Sequence, residues 1–363
     1  MSTSMAIRAA EAAPFDERAA QDFADRIAGA LDSGALAIML SIGHRSGLLD
    51  TLARLPPSGS ERIAQEAGLS ERYVREWLAT MTTGGVVRYE PSARTYHLPP
   101  EHAASLTRGG SLGNLAVYAQ MVALLGAVQD KTLELLRTGE GARYDDYPCF
   151  HQIMAEDSDM TVVAGLFDTI LPLAPGLEAR LEAGIEVLDA GCGSGHALLA
   201  MAQRYPRSRF TGYDISADAI AHANAHAAEV PNARFAVRDL THWDEAAAYD
   251  LITTFDAVHD QRDPQDFLRR LRRALKPGGV YLMQDIGGSA ALENNLDFPM
   301  ATMLYAVSCA HCTAVSRGQG GAGLGTMWGW ETALAMLEEA GFSAIERHVL
   351  PHDPMNVWFV ARA

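Results

Sequence analysis

The sequence predicts an α/β protein that begins with a mainly helical domain, and three observations support this fold class. The chain has 363 residues, a length that favours two domains over one. Its first hundred residues have mostly helical periodicity, whereas strand and helix patterns alternate from Ile185 onward. Such alternation is typical of a parallel sheet with helices on both faces. Hydrophobic residues at 48% and charged residues at 20% are ordinary for a folded globular protein.

The composition bears on partners and location. The net charge is −16, from 29 Lys and Arg against 45 Asp and Glu. Proteins that bind nucleic-acid phosphates normally have a positive net charge, so we expect no nucleic-acid partner. Four cysteines are too few for a disulfide framework, and charges interrupt the first thirty residues, so we expect a cytoplasmic protein without a secretion signal. The uncharged stretches Gly109–Gln129 and Phe298–Ser316 contain polar groups such as Asn114 and His311. We interpret both as buried helices and expect no membrane partner.

The first predicted domain, residues 1–107, has the order helix, turn, helix, hairpin of a winged helix. Its predicted elements are helices over Phe15–Leu31, 36–52, Glu61–Ala67 and Glu71–Met81, followed by strands over Val86–Tyr89 and Thr95–Leu98. Residues 61–108 contain six arginines and six glutamates, whose charges cancel, so no basic surface for DNA is expected. A dimerisation domain or a substrate lid is therefore preferred over a DNA-binding regulator.

A helical bridge is predicted over residues 108–171 and an α/β domain over residues 172–363. The bridge has apolar helices over Leu112–Leu136 and Phe150–Leu171, separated by a polar segment. The predicted strands of the α/β domain are Ile185–Ala190, Arg209–Asp214, Arg234–Arg238, Leu251–Phe255, Val280–Asp285, Ile345–Leu350 and Val357–Ala361. Helices over His196–Tyr205, Ala217–Glu229 and Pro264–Leu275 lie between them. An insertion over residues 286–329 is longer than a normal connection and is predicted to be a lid.

The first strand of this domain runs directly into a glycine-rich loop. Asp189 is followed by Gly191, Gly193 and Gly195, and then by a helix. Glycines allow the backbone to approach a ligand, and the helix N-terminus offers unpaired N–H groups. The Gly-x-Gly-x-Gly spacing differs from dinucleotide and phosphate-loop motifs, and no lysine follows to meet a phosphate. An acid before the glycines suits a ligand with an ammonium group, which indicates S-adenosylmethionine.

The string from Val187 to Gly195 resembles the first motif of the class I S-adenosylmethionine-dependent methyltransferases, whose fold is Rossmann-like. Asp214 ends the second strand, where the family places the acid that binds both ribose hydroxyls. Asp239 follows the third strand, where the family contacts the adenine amine. The resemblance implies cofactor binding by Asp189, Gly191, Gly193, Gly195, Asp214, Ile215, Asp239, Leu240, Phe255 and Asp256.

The resemblance covers nearly the whole chain. The winged-helix start, bridge and C-terminal domain are similar to dimeric small-molecule methyltransferases, including a bacterial branch with mycobacterial members and related thiol-methylating enzymes. His259 and Asp260 resemble the His-Asp pair of plant-type O-methyltransferases, in which the His is the general base. Gln261 stands where those enzymes have Trp. The resemblance therefore implies a homodimer, catalytic His259 and an orienting or helix-capping Asp260.

The metal content stays open at this stage, with no metal favoured. Cys309 and Cys312 lie one helical turn apart beside His311, but structural zinc needs four ligands and no second cysteine pair exists. A second hypothesis is that His259, His311 and a carboxylate of the substrate bind iron, as in methyltransferases of 2-oxo acids, whereas a hydrogen bond of His311 to the acceptor or to a backbone carbonyl is preferred. The glycine-rich stretch 318–329 is predicted to be a lid hinge rather than a phosphate loop.

The acceptor is predicted to be a small neutral molecule. The residues expected to bind it are Tyr147, His151, Tyr305, His311 and Trp328. No cluster of Arg or Lys indicates a strongly anionic acceptor, and a polarisable sulfur matches a sulfonium methyl group. The preferred function is S-methylation of a small thiol such as sulfide or methanethiol. O-methylation of a hydroxylated natural product and metal-assisted C-methylation of a 2-oxo acid remain alternatives.

Overall fold

A computed structural model describes residues 15–363. The prediction that the first thirty residues contain no secretion signal therefore lies partly outside the described residues. The chain divides into two compact units at Pro99 and Pro100. This division falls shortly before the predicted boundary at residue 107, and it places the predicted helical bridge in the second unit. The two units are described separately below.

The first unit contains four helices and a two-stranded antiparallel hairpin. They are α1 (Glu17–Arg45), α2 (Leu48–Arg54), α3 (Ser60–Ala67), α4 (Glu71–Thr83), β1 (Arg88–Glu90) and β2 (Thr95–His97). The break predicted between residues 31 and 36 does not occur, because α1 continues through Gly34. The chain breaks instead at Ser46 and Gly47, between α1 and α2. The hydroxyl of Ser33 donates to the carbonyl of Gly29 at 2.8 Å, a bond that a helix accommodates without ending.

Helices α1 and α4 pack closely at a glycine. A Cβ atom at Gly43 would lie 2.4 Å from the Trp77 ring, so only glycine leaves room for that indole. The Trp77 Nε1–H also donates to the carbonyl of Met39 at 2.8 Å. On the other face of α4, Arg72 pairs with Glu76 and Arg75 pairs with Glu71. The helix that would contact DNA in a winged-helix regulator therefore neutralises its own positive charges.

Helix α1 exposes much of its apolar surface. Phe23, Ile27, Leu31, Ile38 and Ile42 are each at least 42% exposed. Among the described helices, α1 is the single one long and apolar enough to cross a membrane, and 17% of its most apolar window is buried. The helical segments Phe150–Leu173 and Leu177–Ala183 are also long and apolar enough to cross a membrane if they are counted as one span, although the chain bends by 107° between them.

The second unit starts with helices that precede the sheet. They are α5 (Pro100–Ala103), α6 (Ala116–Ala127), α7 (Gln129–Thr138) and α8 (Phe150–Thr161). The helix predicted over Leu112–Leu136 is thus two helices, which meet at Val128. The helix predicted to reach Leu171 ends its regular part at Thr161, and 3₁₀ and π turns continue to Leu173. Gly165 and Pro172 disfavour a longer α-helix in this stretch.

The remaining elements form a seven-stranded sheet with flanking helices, which confirms the predicted fold class. The strands are β3 (Glu186–Ala190), β4 (Arg209–Asp214), β5 (Ala233–Val237), β6 (Tyr249–Phe255), β7 (Leu275–Ile286), β8 (Ser343–Leu350) and β9 (Asp353–Arg362). The helices are α9 (Leu177–Ala183), α10 (His196–Arg204), α11 (Ala217–Ala227), α12 (Pro264–Ala274), α13 (Ala301–Val307), α14 (Thr313–Gly318) and α15 (Trp330–Glu339).

The strand order is β5-β4-β3-β6-β7-β9-β8. The first five strands of that order are parallel, and β9 is antiparallel to both β7 and β8. Strand β7 begins at Leu275, which pairs with Tyr249, and it therefore starts five residues before the predicted strand at Val280. Apolar clusters pack on both faces of the sheet. The order reverses at β3, and a ligand crevice is expected there at the carboxyl ends of the strands.

The insertion after β7 is mainly helical. Helices α13 and α14 are joined by a five-residue π turn, Ser308–Cys312. The hydroxyl of Tyr147 donates to the carbonyl of Ala310 at 2.7 Å and so binds this turn to the segment before α8. The π turn points His311 and Cys312 inward, whereas Cys309 is exposed.

Candidate active site

A cavity of about 220 Å³ opens at the carboxyl ends of the parallel strands. The glycine-rich loop and the residues that follow β4, β5 and β6 line one end, called here the donor end. His259, Asp260 and the helical insertion line the other end, called here the acceptor end. Helices α6 and α8 close the side between them. Two sets of residues that are far apart in sequence therefore face one space.

Two glycines of the loop cannot be replaced without strain. Gly191 has φ +83° and Gly195 has φ +74°, values that favour glycine. A Cβ atom at Gly191 would lie 2.7 Å from Cβ of Ala257, and one at Gly195 would lie 2.4 Å from the Phe235 ring. The loop thus runs close to β5 and to the residues that follow β6, and it leads into α10, whose first residues also line the cavity.

Asp189 lies at the end of β3 and is 2% exposed. One of its carboxylate oxygens accepts a hydrogen bond from Thr253 on the neighbouring strand at 2.8 Å. Burial raises the pKa of Asp189 to about 7, against the opposing effect of the Thr253 hydrogen bond. This carboxyl therefore titrates near neutral pH.

Asp214 ends β4 and is held by the backbone. The N–H groups of Gly193 and Ser216 each donate to one of its two oxygens at 2.8 Å. Burial raises the pKa of Asp214, and these N–H groups oppose the shift. His151 of α8 contacts the same corner, with Nε2 2.9 Å from the hydroxyl of Ser216. The carboxylate is therefore fixed in orientation and keeps free lone pairs for a ligand.

All ten residues predicted to bind the cofactor line this one cavity. Among them, Asp239 accepts hydrogen bonds from the N–H and the hydroxyl of Thr241, at 2.9 and 2.6 Å. Asp256 has φ +54°, which is unusual for a residue other than glycine, and its Oδ1 is buried without a hydrogen-bond partner among residues 15–363. Burial raises the pKa of Asp256. The placement agrees with the predicted donor site, whose individual contacts remain predictions.

Two further polar residues of the cavity wall were not anticipated. Asp157 of α8 accepts a hydrogen bond from Tyr118 of α6, and burial raises the pKa of Asp157 to about 7. Both residues line the cavity. Their helices lie in a segment that the sequence analysis treated only as a bridge. Tyr118 is one of the few polar residues in the mainly apolar helix α6, which was the available sequence signal.

His259 lies in a buried group of carboxylates at the acceptor end. Its Nδ1 is 2.8 Å from Asp285 Oδ1, and its Nε2 is 3.4 Å from Asp260 Oδ1. The side chains of His259 and Asp285 are 2% and 0% exposed. Burial lowers the pKa of His259, but Asp285 and Asp260 outweigh this effect and raise it well above its usual range. Asp285 orients the ring and leaves Nε2 as the atom that faces the cavity.

Asp285 was missed although its position carried a signal. It lies near the end of β7, and β7 pairs with β6, whose end precedes His259. Neighbouring parallel strands bring their carboxyl ends to the same edge. Trp328 was predicted to bind the acceptor, but its Nε1–H donates to Asp285 at 3.0 Å and its side chain is outside the cavity lining. Trp328 therefore supports the residue that orients His259.

Tyr147 and Tyr305, also predicted to bind the acceptor, do not line the cavity either. The Tyr147 hydroxyl donates to Ala310, as described above. The Tyr305 hydroxyl accepts a hydrogen bond from Asn295 at 2.9 Å. Both hydroxyls are used inside the protein and neither residue lines the cavity, so their predicted contact with the acceptor stays a prediction. The other two predicted acceptor residues, His151 and His311, do line the cavity.

His311 is 2% exposed and lies among aromatic rings. Its ring stacks on Phe150 with centroids 3.8 Å apart and meets the edge of Tyr147 at 4.5 Å. Burial lowers the pKa of His311 to about 4, so the imidazole is neutral at physiological pH. Its Nε2 has no hydrogen-bond partner within the described chain. His311 can therefore accept or donate one hydrogen bond to a molecule in the cavity.

Two groups of side chains in the described residues have the spacing of metal ligands. His259, Asp260 and Cys312 form one group, and Asp256, His259 and Asp285 form the other. His311 belongs to neither group of three protein ligands, and the hypothesis that His259, His311 and a carboxylate of the substrate bind iron stays a prediction. Cys309 and Cys312 also do not converge, since one is exposed and the other is buried.

The cavity is acidic. Among the described residues that line it there are six aspartates, Asp157, Asp189, Asp214, Asp239, Asp256 and Asp260, and a single Arg or Lys, Arg238. Arg238 immediately precedes Asp239 at the donor end. The acceptor end has no Arg or Lys in its described lining, and its apolar residues include Met303, Leu304 and Val307.

Comparisons with known proteins agree with this architecture. Residues 34–108 match the Rv2258c-like winged HTH domain, and residues 181–341 match a methyltransferase domain. The chain is 29% identical to a trans-aconitate 2-methyltransferase of Afipia carboxidovorans over 139 residues, which make up 38% of this chain and 48% of the relative. The chain thus spans less than half the length of the curated relatives that it matches.

Two solved structures are similar over almost their whole length. The mitomycin 7-O-methyltransferase MmcR has a TM-score of 0.67 and 18% identity, with 96% of this chain and 100% of that chain covered. Human N-acetylserotonin methyltransferase in complex with SAM has a TM-score of 0.67 and 16% identity, with 96% and 99% covered. At these identities the likeness shows the fold. The chain therefore combines an N-terminal winged helix-turn-helix domain with a methyltransferase domain of the class I, S-adenosylmethionine-dependent fold.

Proposed function

We propose that the protein transfers a methyl group from S-adenosylmethionine to a small neutral acceptor. One observation carries this proposal: ten residues predicted to bind the donor line the same cavity as His259, whose Nδ1 is bonded to the buried Asp285 behind it. A donor site next to an oriented imidazole is the arrangement that methyl transfer to a protonated nucleophile requires.

The donor end can bind each part of S-adenosylmethionine. Asp214, fixed by two backbone N–H groups, would accept hydrogen bonds from the two ribose hydroxyls. Asp239 and Leu240 would contact the adenine, with Ile215 beside the sugar. The ionised carboxylate of Asp189 would attract the ammonium group. A Cβ atom built at Gly193 would have no other atom within 4 Å, so the middle of the glycine loop has open space for the methionine part of the donor.

The charges of the cavity argue against the acceptor named for the sequence relatives. Trans-aconitate is a tricarboxylate, and a site for it needs cationic partners in the pocket. The described acceptor end has no Arg or Lys and has Asp260, while Asp256 of the donor end lies 3.7 Å from His259. Three carboxylates there would meet these carboxylates with His259 as the nearest cation, and His259 is already paired with Asp285. A neutral acceptor is therefore favoured.

A hydroxyl acceptor is favoured over a thiol by the catalytic group. A phenol or alcohol is largely protonated at neutral pH and gains most from an oriented acid-base group, whereas a small thiol needs less assistance. The O-methyltransferase names of the structural neighbours agree with this order. A thiol remains the second candidate, because the sulfur and apolar side chains of Met303, Leu304 and Cys312 suit a polarisable nucleophile.

In the reaction, the acceptor atom forms a bond to the methyl carbon while the carbon–sulfur bond of the sulfonium breaks. The electron pair of that bond stays on sulfur, which yields neutral S-adenosylhomocysteine. The acceptor proton is taken at Nε2 by the neutral form of His259, whose Nδ1 bonds to Asp285. Because Asp285 and Asp260 raise the pKa of His259, the neutral form becomes more abundant, and turnover should increase, as the pH rises. Burial of His259, Asp285 and His311 keeps water away from this step.

The release of S-adenosylhomocysteine tests this proposal directly. The purified protein should be incubated with donor and separate panels of phenols, alcohols, small thiols, 2-oxo acids and trans-aconitate. We expect release with neutral hydroxyl compounds and none with trans-aconitate. Release confined to thiols would favour the second candidate, and efficient use of trans-aconitate would contradict the charge argument.

We also propose that the protein is a cytoplasmic homodimer that uses the exposed apolar surface of α1. Phe23, Ile27 and Leu31 are exposed there, while Asp22, Asp25 and Arg26 interleave with them. Charges so close to the apolar residues suit a protein partner better than the interior of a bilayer. Sedimentation of the wild type should give a dimer, and a Phe23→Glu, Leu31→Glu variant should give a monomer.

A further inference from the structure

We propose that His259, Asp260 and Cys312 bind one zinc ion at the acceptor end of the cavity. This inference rests on the proposed function, because the ion would serve the same methyl acceptor. The ligand atoms all lie within 4.8 Å of one another. Nε2 of His259 and Oδ1 of Asp260 are 3.4 Å apart. Zinc bonds of about 2.0–2.3 Å at tetrahedral angles hold ligand atoms roughly 3.3–3.8 Å apart.

Each of the three side chains also has a hydrogen-bond partner behind it. Nδ1 of His259 bonds to Asp285, and the hydroxyl of Tyr144 donates to Oδ2 of Asp260 at 3.2 Å. The hydroxyl of Thr326 donates to Sγ of Cys312 at 3.0 Å. Such outer partners fix the orientation of metal ligands and are a regular part of metal sites. They leave Nε2, Oδ1 and Sγ as the atoms that face a common point.

The side chain of Asp260 supplies an independent sign of a missing ligand. Asp260 is 8% exposed, and its Oδ1 is buried without a hydrogen-bond partner in the described chain. Buried carboxylate oxygens normally accept hydrogen bonds, and an unpartnered one requires an explanation. A cation between this oxygen and Nε2 of His259 would compensate it.

The ligand types select the metal. A thiolate, an imidazole and a carboxylate suit zinc, whereas magnesium and calcium require oxygen ligands. Three protein ligands leave the fourth tetrahedral position open, as in catalytic zinc sites. That position is available to a molecule in the cavity, because all three ligand residues line it. The group of Asp256, His259 and Asp285 is a poorer site, since Nδ1 already bonds directly to Asp285 at 2.8 Å.

A zinc ion here would assist the acceptor. A bound hydroxyl or thiol loses its proton to water more readily, because the cation stabilises the resulting anion. The lone pair of that anion then forms the bond to the methyl carbon, and the sulfonium sulfur keeps the electrons of the broken bond. In the zinc-bound enzyme, His259 would hold the ion, and its own Nε2 would no longer take the proton.

Metal binding can be measured without any acceptor. The purified full-length protein should be treated with a chelator, dialysed, and loaded with Zn²⁺ or Co²⁺. We expect about one metal ion per chain by elemental analysis, and a thiolate-to-cobalt charge-transfer absorption in the Co²⁺ form. Failure of the folded wild type to bind either ion stoichiometrically would overturn the proposal.

The two cysteines of the insertion provide a matched control. Cys312→Ser and Asp260→Asn should each lose most of the metal affinity, and Cys312→Ser should also lose the charge-transfer band. Cys309→Ser should bind like the wild type, because Cys309 is exposed and outside the ligand group. Thr326→Val, which removes only an outer partner, should weaken affinity about 10–100-fold. Retained affinity and absorption in Cys312→Ser would contradict the site.

Folding and function are checked separately. Circular dichroism and thermal melts of the metal-free variants should match those of the metal-free wild type. If Cys312→Ser does not fold, Asp260→Asn replaces it as the variant that tests metal binding. Release of S-adenosylhomocysteine should rise at least tenfold when zinc is restored to the wild type. Equal rates with and without zinc would overturn its part in the reaction, although the methyltransferase would stand. Zinc binding without methyl transfer to any acceptor would instead contradict the proposed function.

Discussion

The donor end and the acceptor end of the cavity are built in different ways. Every predicted donor residue lies in the glycine loop or just after β4, β5 or β6, within about seventy residues of sequence. The acceptor end brings Asp260 to Tyr144 and Cys312, which lie far away on both sides. Local motifs thus describe the first end, while packing of the bridge and the insertion creates the second.

We therefore expect the donor end to determine the affinity for the methyl donor and the acceptor end to determine which acceptor is methylated. The donor end uses backbone turns and strand ends, whose geometry follows from the sheet itself. The acceptor end uses side chains from helices that can vary without changing the sheet. Changes at the donor end should therefore alter donor affinity for every acceptor, and changes at the acceptor end should alter turnover while donor affinity remains.

The largest expected effect comes from His259 at the acceptor end. His259→Ala should lower kcat by about 10²–10⁴-fold, because it removes the group that acts on the acceptor proton or holds the ion. Donor affinity measured by calorimetry should stay within about twofold of the wild type. Unchanged kcat, or an equal loss of donor affinity, would contradict the separation of the two ends.

The next effect comes from Asp214 at the donor end. Asp214→Ala should weaken donor binding by about 2–3 kcal/mol, because charge-assisted hydrogen bonds to the ribose are lost. Calorimetry with S-adenosylhomocysteine measures this without any acceptor. Ser216→Ala is the control, since it keeps the backbone N–H that donates to Asp214. Equal affinity of Asp214→Ala and wild type would rule out the ribose contact.

A pH comparison of two donor-end aspartates gives a smaller effect. Burial raises the pKa of Asp189 to about 7, whereas the hydrogen bonds from Thr241 outweigh partial burial and lower the pKa of Asp239. The ionised form of Asp189 attracts the donor ammonium, so donor affinity should rise as pH increases from 6 to 8. Asp189→Asn should reduce that rise, costing about 1 kcal/mol more at pH 8 than at pH 6.

Asp239→Asn is the matched control for this pH series. Asp239 is already ionised at pH 6, so its replacement should weaken donor binding equally at both pH values. Calorimetric titrations of the three proteins across the range make the comparison. A rise in affinity that Asp189→Asn leaves intact would show that another group controls the pH dependence.

The smallest effect is expected for Tyr147, which the sequence placed at the acceptor and the structure places behind it. Tyr147→Phe should lower the free energy of unfolding by about 1 kcal/mol, since one buried hydrogen bond to Ala310 is lost. The kcat and KM for the best acceptor should stay within twofold. Denaturant melts and initial rates measure both. A large change in KM would indicate that Tyr147 contacts the acceptor and would contradict this expectation.

The sequence predicted the sheet and the donor end well because strand ends carry their residues to a fixed edge. Asp214 and Asp239 need only the strand order to be placed. Asp285 needed the additional knowledge that β7 pairs with β6, which periodicity does not provide. The same limit explains Asp157, whose contact with Tyr118 joins two helices of a segment taken as a connector.

The acceptor end was predicted less well because side-chain direction in a helix depends on its exact register. Tyr305 was placed at the cavity from its neighbourhood, yet its hydroxyl bonds to Asn295. Cys309 and Cys312 would share a face in a regular α-helix, three residues apart. In the structure they do not, because a π turn covers both positions.

That π turn, Ser308–Cys312, also makes this stretch sensitive to length. A π turn contains one residue more than the α-helical turn that it replaces. Deleting one residue here would allow a continuous α-helix from α13 to α14 that keeps the two helices in roughly their present orientation, while side chains within the turn would change direction by up to about 100°. Helix content would be preserved while His311 and Cys312 lost their shared direction. A shortening that looks conservative by secondary structure would therefore dismantle the acceptor end.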